Sequence, residues 1–219
     1  MVIAGPVALL VGAPSPSAVA SGLLSMEPRA ADGRSLAVAT AILLAVVGER
    51  LYELSLSRRN AARVRARGGI ELGRGHYRWM VALHVGFLIA TPLEWFLLRP
   101  CWSPLLLLLA ALTLAASMAL RYWAIASLGD RWNTRVLCEP GRPAVTTGPY
   151  RHMKHPNYLA VVLEFAALPL LHGGWRTAVL GSLLNAVVLA VRLRCENAAL
   201  RTYCGPAAEL AGTETSERG

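Results

Sequence analysis

Long apolar runs separated by short polar segments dominate the pattern of this 219-residue chain. Three of these runs cover residues 36–56, 79–98 and 104–128. Each has about the 20 residues that a helix needs to cross the ~30 Å hydrocarbon core of a bilayer. The pattern alone therefore predicts three membrane-spanning helices.

Two further apolar runs, residues 158–171 and 175–191, flank the sequence His172-Gly173-Gly174. The glycines predict a tight turn between two paired helices. The first run rises only about 21 Å at 1.5 Å per residue, which falls short of a full crossing. We therefore expect an all-α, polytopic helical membrane protein with about five transmembrane helices. The last two form a hairpin whose first arm starts below the membrane surface or crosses a thinned region.

Composition supports this class. Hydrophobic residues make up 55% of the chain, and 22 basic residues against 13 acidic ones give a net charge of +9. A basic excess can indicate nucleic-acid binding, but these groups lie between apolar spans, where anionic lipid headgroups are their natural counter-ions. The expected partners are membrane lipids and not nucleic acid.

Charge also predicts the orientation in the membrane. Residues 58–78 hold seven arginines against one glutamate, and residues 129–157 hold five basic residues against two acidic ones. By the positive-inside rule both segments face the cytoplasm, and they are two crossings apart, as this requires. Five spans then place the N-terminus outside, and the C-terminal segment from Arg192 returns to the cytoplasm.

The domain organisation follows from the same pattern. Residues 1–34 form an N-terminal extension that is disordered or signal-like. Residues 35–204 form one membrane domain, whose catalytic loop and C-terminal part cover residues 129–204. Residues 205–219 form a flexible tail. The four cysteines show no CxxC pairing and no histidine at zinc spacing, so neither a disulfide framework nor a metal site is expected.

Ionisable residues at membrane depth need a physical reason. Glu49 and Glu53 share one face of the first span, and Arg50 lies between them. Pairing of Arg50 with Glu53, snorkelling and a functional role all remain open for this group. Arg121 is expected to snorkel to the cytoplasmic headgroups.

Glu164 lies six residues past Tyr158 within the short fourth run, too deep to reach water easily. It should therefore face the helix bundle and meet a partner such as Asn185, Arg192 or a ligand. Structural and functional roles are both open for this carboxylate.

The segment 148–159, GPYRHMKHPNYL, carries the densest chemistry of the chain. Proline suits the first turn of a helix, so the fourth helix should begin near Pro156, with His155 at its N-terminus. Free backbone N–H groups there can bind an anionic group, and Arg151 and Lys154 add positive charge. A basic loop of this kind beside apolar spans is typical of an enzyme that acts on a lipid-soluble substrate.

Tyr150 and Tyr158 add ring faces and hydroxyls that suit an adenine or a ribose. The alternative is a basic interfacial loop with a tyrosine belt, which is common in membrane proteins. A metal site built from His152 and His155 is disfavoured because no carboxylate or cysteine at usable spacing completes it.

The order His155-Pro156-x-Tyr158, hairpin, Arg192-x-Arg194-x-Glu196 resembles the isoprenylcysteine carboxyl methyltransferase family of integral membrane enzymes. The resemblance covers residues 36–200. Segments 49–60, 73–77 and 164–174 look closer to a bacterial subgroup encoded with type III polyketide synthases. Members of that subgroup O-methylate alkylpyrones or alkylresorcinols.

The resemblance implies an enzyme of the bacterial inner membrane that binds S-adenosylmethionine at its cytoplasmic face and methylates an oxygen of a lipophilic substrate. No glycine-rich GxGxxG motif is present, so the soluble methyltransferase fold is not expected. The implied cofactor-binding residues are Tyr150, Arg151, His155, Pro156, Tyr158 and Glu196. Of the candidate catalytic residues, the resemblance implies that Arg192 or Arg194 orients the acceptor oxygen. A phenolic acceptor would also need a base, for which Glu164 and His155 are the candidates.

The chain departs from the family pattern in two places. His152-Met153-Lys154 precedes the histidine where an aromatic or aliphatic residue and an arginine are commoner, and Asn197 occupies the second acidic position. The latter leaves open how Glu196 and its neighbour divide their roles.

Three other functions fit parts of the pattern. Membrane sterol reductases share an RHPNY-like motif and use NADPH, but in them Gly and an acidic residue usually follow, where this chain has Leu159-Ala160-Val161. Phospholipid N-methyltransferases use the same cofactor and differ in the acceptor. A small non-enzymatic membrane scaffold explains the topology but not the conjunction of Tyr150, His155, Tyr158 and Glu196.

Overall fold

The computed structural model describes residues 33–100 and 103–203. Five helices cover most of this part of the chain: α1 Gly33–Ala66, α2 Arg74–Leu98, α3 Pro104–Leu128, α4 Pro156–Leu170 and α5 Trp175–Tyr203. The predicted all-α class is confirmed. The predicted extension 1–34 and tail 205–219 lie outside the described residues, except that residues 33 and 34 already belong to α1.

The helix boundaries follow local chemistry. Helix α3 begins with Pro104 at its first position, and the Ser103 hydroxyl caps it by accepting from the Leu106 N–H at 3.1 Å. Helix α4 begins at Pro156, as predicted. The turn to α5 ends in Gly174, whose N–H donates to the Pro169 carbonyl at 3.0 Å. The predicted α4–α5 hairpin is thus confirmed.

Three helical segments within the described residues are long and apolar enough to cross a membrane: Tyr77–Leu98, Pro104–Arg131 and Trp175–Tyr203. Helix α4 is apolar but has only 15 residues, about 22 Å at 1.5 Å per residue. Helix α1 has 34 residues, and it carries three charged residues in its central part, at positions 49, 50 and 53. The count of five crossings therefore stays a prediction.

The core of the bundle forms around α4, which packs between α3 and α5. Phe165 of α4 stacks on Phe87 of α2, with ring centroids 4.0 Å apart. A Cβ atom at Gly181 of α5 would lie 3.0 Å from the Phe87 ring, so a larger residue there would require the ring to shift by a few tenths of an ångström. Close packing through small residues is a main source of helix association in lipid, where apolar contact alone provides little driving force.

A two-stranded antiparallel ribbon joins the two loops at one end of the bundle. Strand β1, Ile70–Leu72, pairs with β2, Val136–Cys138, in the register Ile70 opposite Cys138. The sequence did not predict this ribbon because three-residue strands are too short to show a period of two. The pairing places the loop after α1 and the loop after α3 on the same side of the molecule, which agrees with the charge pattern.

Ion pairs stabilise this ribbon. Glu71 of β1 accepts from Arg65 and from Arg135, each at 2.6 Å. Arg67 donates to both oxygens of Glu139, at 2.7 and 3.1 Å, and to Asp130 at 2.6 Å. The end of α1 is therefore tied to both sides of the loop that follows α3.

At the opposite end of the bundle, a carboxylate caps α5. Glu94 of α2 is buried and accepts from the backbone N–H groups of Arg176 and Thr177, at 3.2 and 2.7 Å. The neighbouring Trp95 donates from Nε1 to the Pro169 carbonyl at 3.1 Å. Helix α2 thus holds both arms of the α4–α5 hairpin at their connecting turn.

Candidate functional site

A cavity of about 280 Å³ lies beside the ribbon, between the loop after α3 and the ends of α4 and α5. Its walls come from segments that are far apart in sequence. The residues that matter here are Trp132, Asn133 and Tyr150 of the loop, His155, Asn157 and Tyr158 at the start of α4, and Arg192, Glu196 and Asn197 of α5. The cavity therefore unites the histidine loop with the charged end of the last helix.

Tyr158 is the centre of a hydrogen-bonded chain in this wall. Its hydroxyl donates to the Glu196 carboxylate and accepts from the Arg192 Nε at 2.7 Å. The Arg192 guanidinium also lies over the Tyr158 ring, 5.4 Å from the centroid. Arg192 and Glu196 are four residues apart on α5, so one helix turn presents both groups to the same phenol.

His155 is held on both sides of its ring. Its Nε2 lies 3.2 Å from the Asn197 Oδ1, and its Nδ1 lies 3.6 Å from a Glu196 oxygen. The ring stacks on that of Tyr158, with centroids 5.2 Å apart and an angle of 19° between the planes. Asn197, at the position where the family pattern has a second acid, therefore binds the histidine.

Arg192 is buried and has two further partners outside α4 and α5. One terminal nitrogen donates to the Thr134 carbonyl at 2.6 Å and lies 2.8 Å from the Met80 sulfur. A buried guanidinium is stable only when its donors are satisfied, and these contacts satisfy several of them. The loop after α3 is thereby joined to the end of α5 that lines the cavity.

Tyr150 reaches the cavity from a 3₁₀ helix, Gly148–Arg151. Gly148 has φ 62°, and a Cβ atom there would lie 2.0 Å from the Ser127 hydroxyl oxygen, so glycine is required for this turn to pack on α3. Burial raises the pKa of Tyr150, and the negative charge of Glu196 raises it further. The phenol therefore stays protonated at neutral pH and can donate a hydrogen bond into the cavity.

Of the predicted site residues, Tyr150, His155, Tyr158, Arg192 and Glu196 line this cavity together. The others do not line it. Arg151 and Arg194 are exposed, and Pro156 is buried at the start of α4, where its role is to begin the helix. Arg192 is thus distinguished from Arg194, a choice that the sequence left open.

Glu164 lies in a separate, buried ion cluster. Its carboxylate accepts from Arg121 of α3 and, at 3.3 Å, from Arg50 of α1. Of the expected partners, neither Asn185 nor Arg192 is the one observed. Glu164 points to the α3 side because it lies six residues, or 240° of helix rotation, beyond Tyr158.

The same cluster corrects the expectation for Arg121 and resolves the expectation for Arg50. Arg121 is only 2% exposed and does not snorkel; it also lies 3.5 Å from a Glu53 oxygen. Arg50 pairs with Glu53 at 2.5 Å, as one of the predicted alternatives required. Three helices are therefore joined by ion pairs at a depth where unpaired charges are costly.

Trp132 and Asn133 were not predicted as site residues from the sequence. Among the described residues, the Trp132 Nε1, the Asn133 Nδ2 and the Asn157 Oδ1 are buried polar atoms without a hydrogen-bond partner. All three residues line the cavity. Two donors and one acceptor beside one cavity suit a ligand that has both acceptor and donor groups. The available signal was the position of Trp132-Asn133 directly after the third apolar run.

The chain is similar to one protein family and to proteins of two bacteria. A model of the isoprenylcysteine carboxyl methyltransferase family matches residues 108–202, which include the site residues Tyr150, His155, Tyr158, Arg192 and Glu196. An uncharacterised protein of Bacillus subtilis, YpbQ, is 40% identical over 163 residues, which cover 74% of this chain and 96% of that protein. An uncharacterised protein of Haemophilus influenzae is 26% identical over 156 residues, 71% of this chain and 90% of its own. No solved structure matches the chain significantly.

Proposed function

Because the chain belongs to the isoprenylcysteine carboxyl methyltransferase family, we propose that it is an S-adenosylmethionine-dependent O-methyltransferase embedded in the membrane. The acceptor is a carboxylate, an acidic enol or a phenol of a lipophilic molecule. The observation that carries this proposal is the junction of Arg192, Tyr158, Glu196 and His155 in the wall of one cavity.

The residues around the cavity fit the proposed cofactor. An amino-acid moiety needs donors for its carboxylate and an acceptor for its ammonium group. Trp132, Asn133 and Asn157 line the cavity and carry buried atoms of both kinds, Nε1, Nδ2 and Oδ1, that have no partner in the protein. The Tyr150 hydroxyl and the Glu196 carboxylate add a donor and an acceptor for a ribose or an amino group.

S-adenosylmethionine, when bound, supplies a methyl group on a positively charged sulfur. Glu196 provides a compensating negative charge in the wall of the cavity. Arg192 is held in the cavity wall by Tyr158 and Thr134, and we assign it to orient an anionic acceptor oxygen. Positioning and exclusion of water then supply most of the rate.

The acceptor determines whether a base is needed. A carboxylate or an acidic hydroxypyrone is already ionised near neutral pH, so no residue has to remove a proton. A phenol would need a base, and His155 lines the cavity whereas Glu164 is engaged by Arg121 outside it. Of the two candidate bases, His155 is therefore the one within reach of a phenolic acceptor, and it would have to release Asn197 or Glu196 to accept the proton.

A lipid tail can reach this site from the membrane. Helix α4 is short and apolar and begins at the cavity, and its outward residues Leu159 and Val162 are each 41% exposed. An acceptor with an apolar tail would lie along such a surface while its polar head enters the cavity. Alkylpyrones and alkylresorcinols meet this description and are the first acceptors to test. We place the site at the cytoplasmic face of the bacterial inner membrane, where the basic loops lie.

The test is calorimetric titration of the detergent-solubilised protein with S-adenosylhomocysteine, with NADPH titrated in parallel. The proposal requires binding of S-adenosylhomocysteine alone. Arg192→Gln and Glu196→Gln should weaken it, because each removes a partner of the Tyr158 hydroxyl in the cavity wall. Arg194→Gln, which removes an exposed arginine on the same helix, serves as the matched control and should not. Binding of NADPH alone would identify a reductase, and binding of neither would favour a scaffold.

A further inference from the structure

Helix α1 has a buried polar face that an anchoring helix would not need. Glu53, Ser57 and Asn60 are 3%, 4% and 1% exposed, and they are spaced by four and three residues. They therefore lie on one face of the helix, while Arg58 and Arg59 between them are exposed. This face begins in the ion cluster and ends beside the loop that follows α3.

Within this face, Ser57 and Asn60 bind the loop, whereas Glu53 belongs to the ion cluster. Asn60 donates from Nδ2 to the Gly129 carbonyl at 3.1 Å and to the Trp132 carbonyl at 2.8 Å. The Ser57 hydroxyl oxygen accepts from the Thr134 N–H at 3.0 Å and lies 2.9 Å from the Thr134 hydroxyl. Two side chains of α1 thus fix the loop from residue 129 to residue 134.

Thr134 connects this loop to the proposed site. Its carbonyl accepts from Arg192 at 2.6 Å, and Arg192 in turn donates to the Tyr158 hydroxyl at 2.7 Å. Ser57 binds Thr134, and the Thr134 carbonyl binds the Arg192 guanidinium. Ser57 therefore acts on Arg192 through a single residue. A residue that only filled space at this position would be apolar, because burying a hydroxyl costs free energy unless it forms hydrogen bonds.

We propose that Ser57 and Asn60 are positioning residues of the methyl-transfer site, which set the place of Arg192 through the loop from residue 129 to residue 134. This inference rests on the proposed function, since it concerns the same cavity. It extends the site to α1, which lies outside the matched residues 108–202.

A double-mutant cycle tests the connection between Ser57 and Arg192. Affinity for S-adenosylhomocysteine is measured by calorimetry for the original protein, Ser57→Ala, Arg192→Gln and the double variant. We expect Ser57→Ala to weaken binding about two- to tenfold, the range for one lost hydrogen bond. In the Arg192→Gln background the same change should have little further effect, because the group that Ser57 positions is gone.

Two variants serve as controls. Ser55→Ala removes an exposed hydroxyl two residues away on the same helix and should leave affinity unchanged. Ser57→Thr keeps the hydroxyl and should restore most of the lost affinity. Equal loss from Ser57→Ala with and without Arg192 would overturn the proposal, as would unchanged affinity in Ser57→Ala itself.

A second readout separates this inference from the proposed function. The thermal midpoints of the same four proteins are compared without ligand. If the original protein binds no S-adenosylhomocysteine, the proposed function fails, and the thermal cycle alone decides the positioning role. Non-additive midpoints for Ser57→Ala and Arg192→Gln would support it, and additive midpoints would overturn it. Asn60→Asp, which turns a carboxylate toward two carbonyl oxygens, should give the largest thermal loss of the set.

Discussion

The Tyr158 hydroxyl donates a hydrogen bond to the Glu196 carboxylate, although the α4–α5 turn and 38 positions of sequence separate the two residues. Since the same hydroxyl accepts from Arg192, a single oxygen atom holds a carboxylate and a guanidinium of α5 in fixed positions. The geometry of the proposed site therefore depends on this phenol.

Tyr158→Phe should retain the ring and its stacking on His155 but leave Glu196 and Arg192 without their shared partner. We expect affinity for S-adenosylhomocysteine to fall about tenfold, because both lost hydrogen bonds involve a charged group. Calorimetric titration measures this. Tyr52→Phe, which alters an exposed tyrosine of α1, should bind as the original protein does. Undiminished affinity in Tyr158→Phe would remove the phenol from the binding site.

Replacing Arg121 alone should destabilise the fold more than replacing Arg121 and Glu164 together. Arg121→Met leaves buried carboxylates with one guanidinium fewer, and removal of one partner of a buried pair costs about 3–5 kcal/mol. Adding Glu164→Gln removes the excess negative charge, so the double variant should recover part of the loss. Thermal unfolding in detergent gives the comparison. A double variant that unfolds at a lower temperature than Arg121→Met would show that the two residues do not compensate each other.

Glu94→Gln should loosen the start of α5 without affecting the cavity at the other end. The carboxylate accepts from two backbone N–H groups of the first helix turn, where negative charge is also favourable to the helix dipole. Loss of such a cap costs about 1 kcal/mol. The expected result is a lower thermal midpoint with unchanged binding of S-adenosylhomocysteine. Weaker binding in this variant would indicate that the capped end and the cavity are coupled.

The ribbon should open in acid. Burial alone would raise the pKa of Glu71, but hydrogen bonds from Arg65 and Arg135 outweigh it and hold the pKa below its ordinary 4.5. For Glu139, burial likewise opposes the hydrogen bonds from Arg67 and Arg142, which again lower the pKa. A carboxyl group whose pKa is lower in the folded protein than in the unfolded chain stabilises the fold fully at pH values above its ordinary pKa. This stabilisation is lost as the pH falls through the pKa of the folded protein.

Hydrogen exchange of the strand amides measures this effect. Protection at Ile70–Leu72 and Val136–Cys138, referred to an unfolded peptide at each pH, should decline below about pH 4.5. In Glu71→Gln the ribbon should be less protected at neutral pH and should respond less to acid. Protection that is constant down to the acid range would mean that these ion pairs contribute little to the ribbon.

The pairing of β1 with β2 makes a prediction about topology. Because the ribbon joins the loops after α1 and α3, the exposed residues Arg59 and His152 should face the same side. Arg99, between α2 and α3, should face the other. Single cysteines at these positions, in a chain without its native cysteines, report this through an impermeant maleimide. We expect labelling of Arg59→Cys and His152→Cys from the cytoplasm, and of Arg99→Cys from outside. Any other division would overturn the proposed orientation.

Hydropathy and turn residues were sufficient to predict the helices and the hairpin, because long apolar runs and glycine turns are local features. The same holds for His155 and Tyr158, whose place beside Pro156 is set by the first turn of one helix. The partners of buried charges were not predictable in this way. Arg121 is near the end of a span in sequence, but it meets Glu164 because α3 packs directly against α4, which only the three-dimensional arrangement reveals.

The loop after α3 shows a second limit. Trp132 and Asn133 carry no motif that marks them, and their neighbours across the cavity come from α4 and α5. The short ribbon that positions this loop has no periodicity to detect. Residues of this kind become candidates only when the burial and the unpartnered polar atoms are known.

The walls of the cavity include Val64 at the end of the first helix and Leu200 near the end of the last. No shorter nascent chain can therefore contain the complete cavity, and during synthesis it is closed only when the final helix has entered the bilayer. A ligand of this cavity would stabilise the finished molecule by mass action but give no help to its earlier intermediates. Insertion must rely instead on the ion pairs and close helix contacts, which makes assembly of the protein independent of the supply of the proposed cofactor.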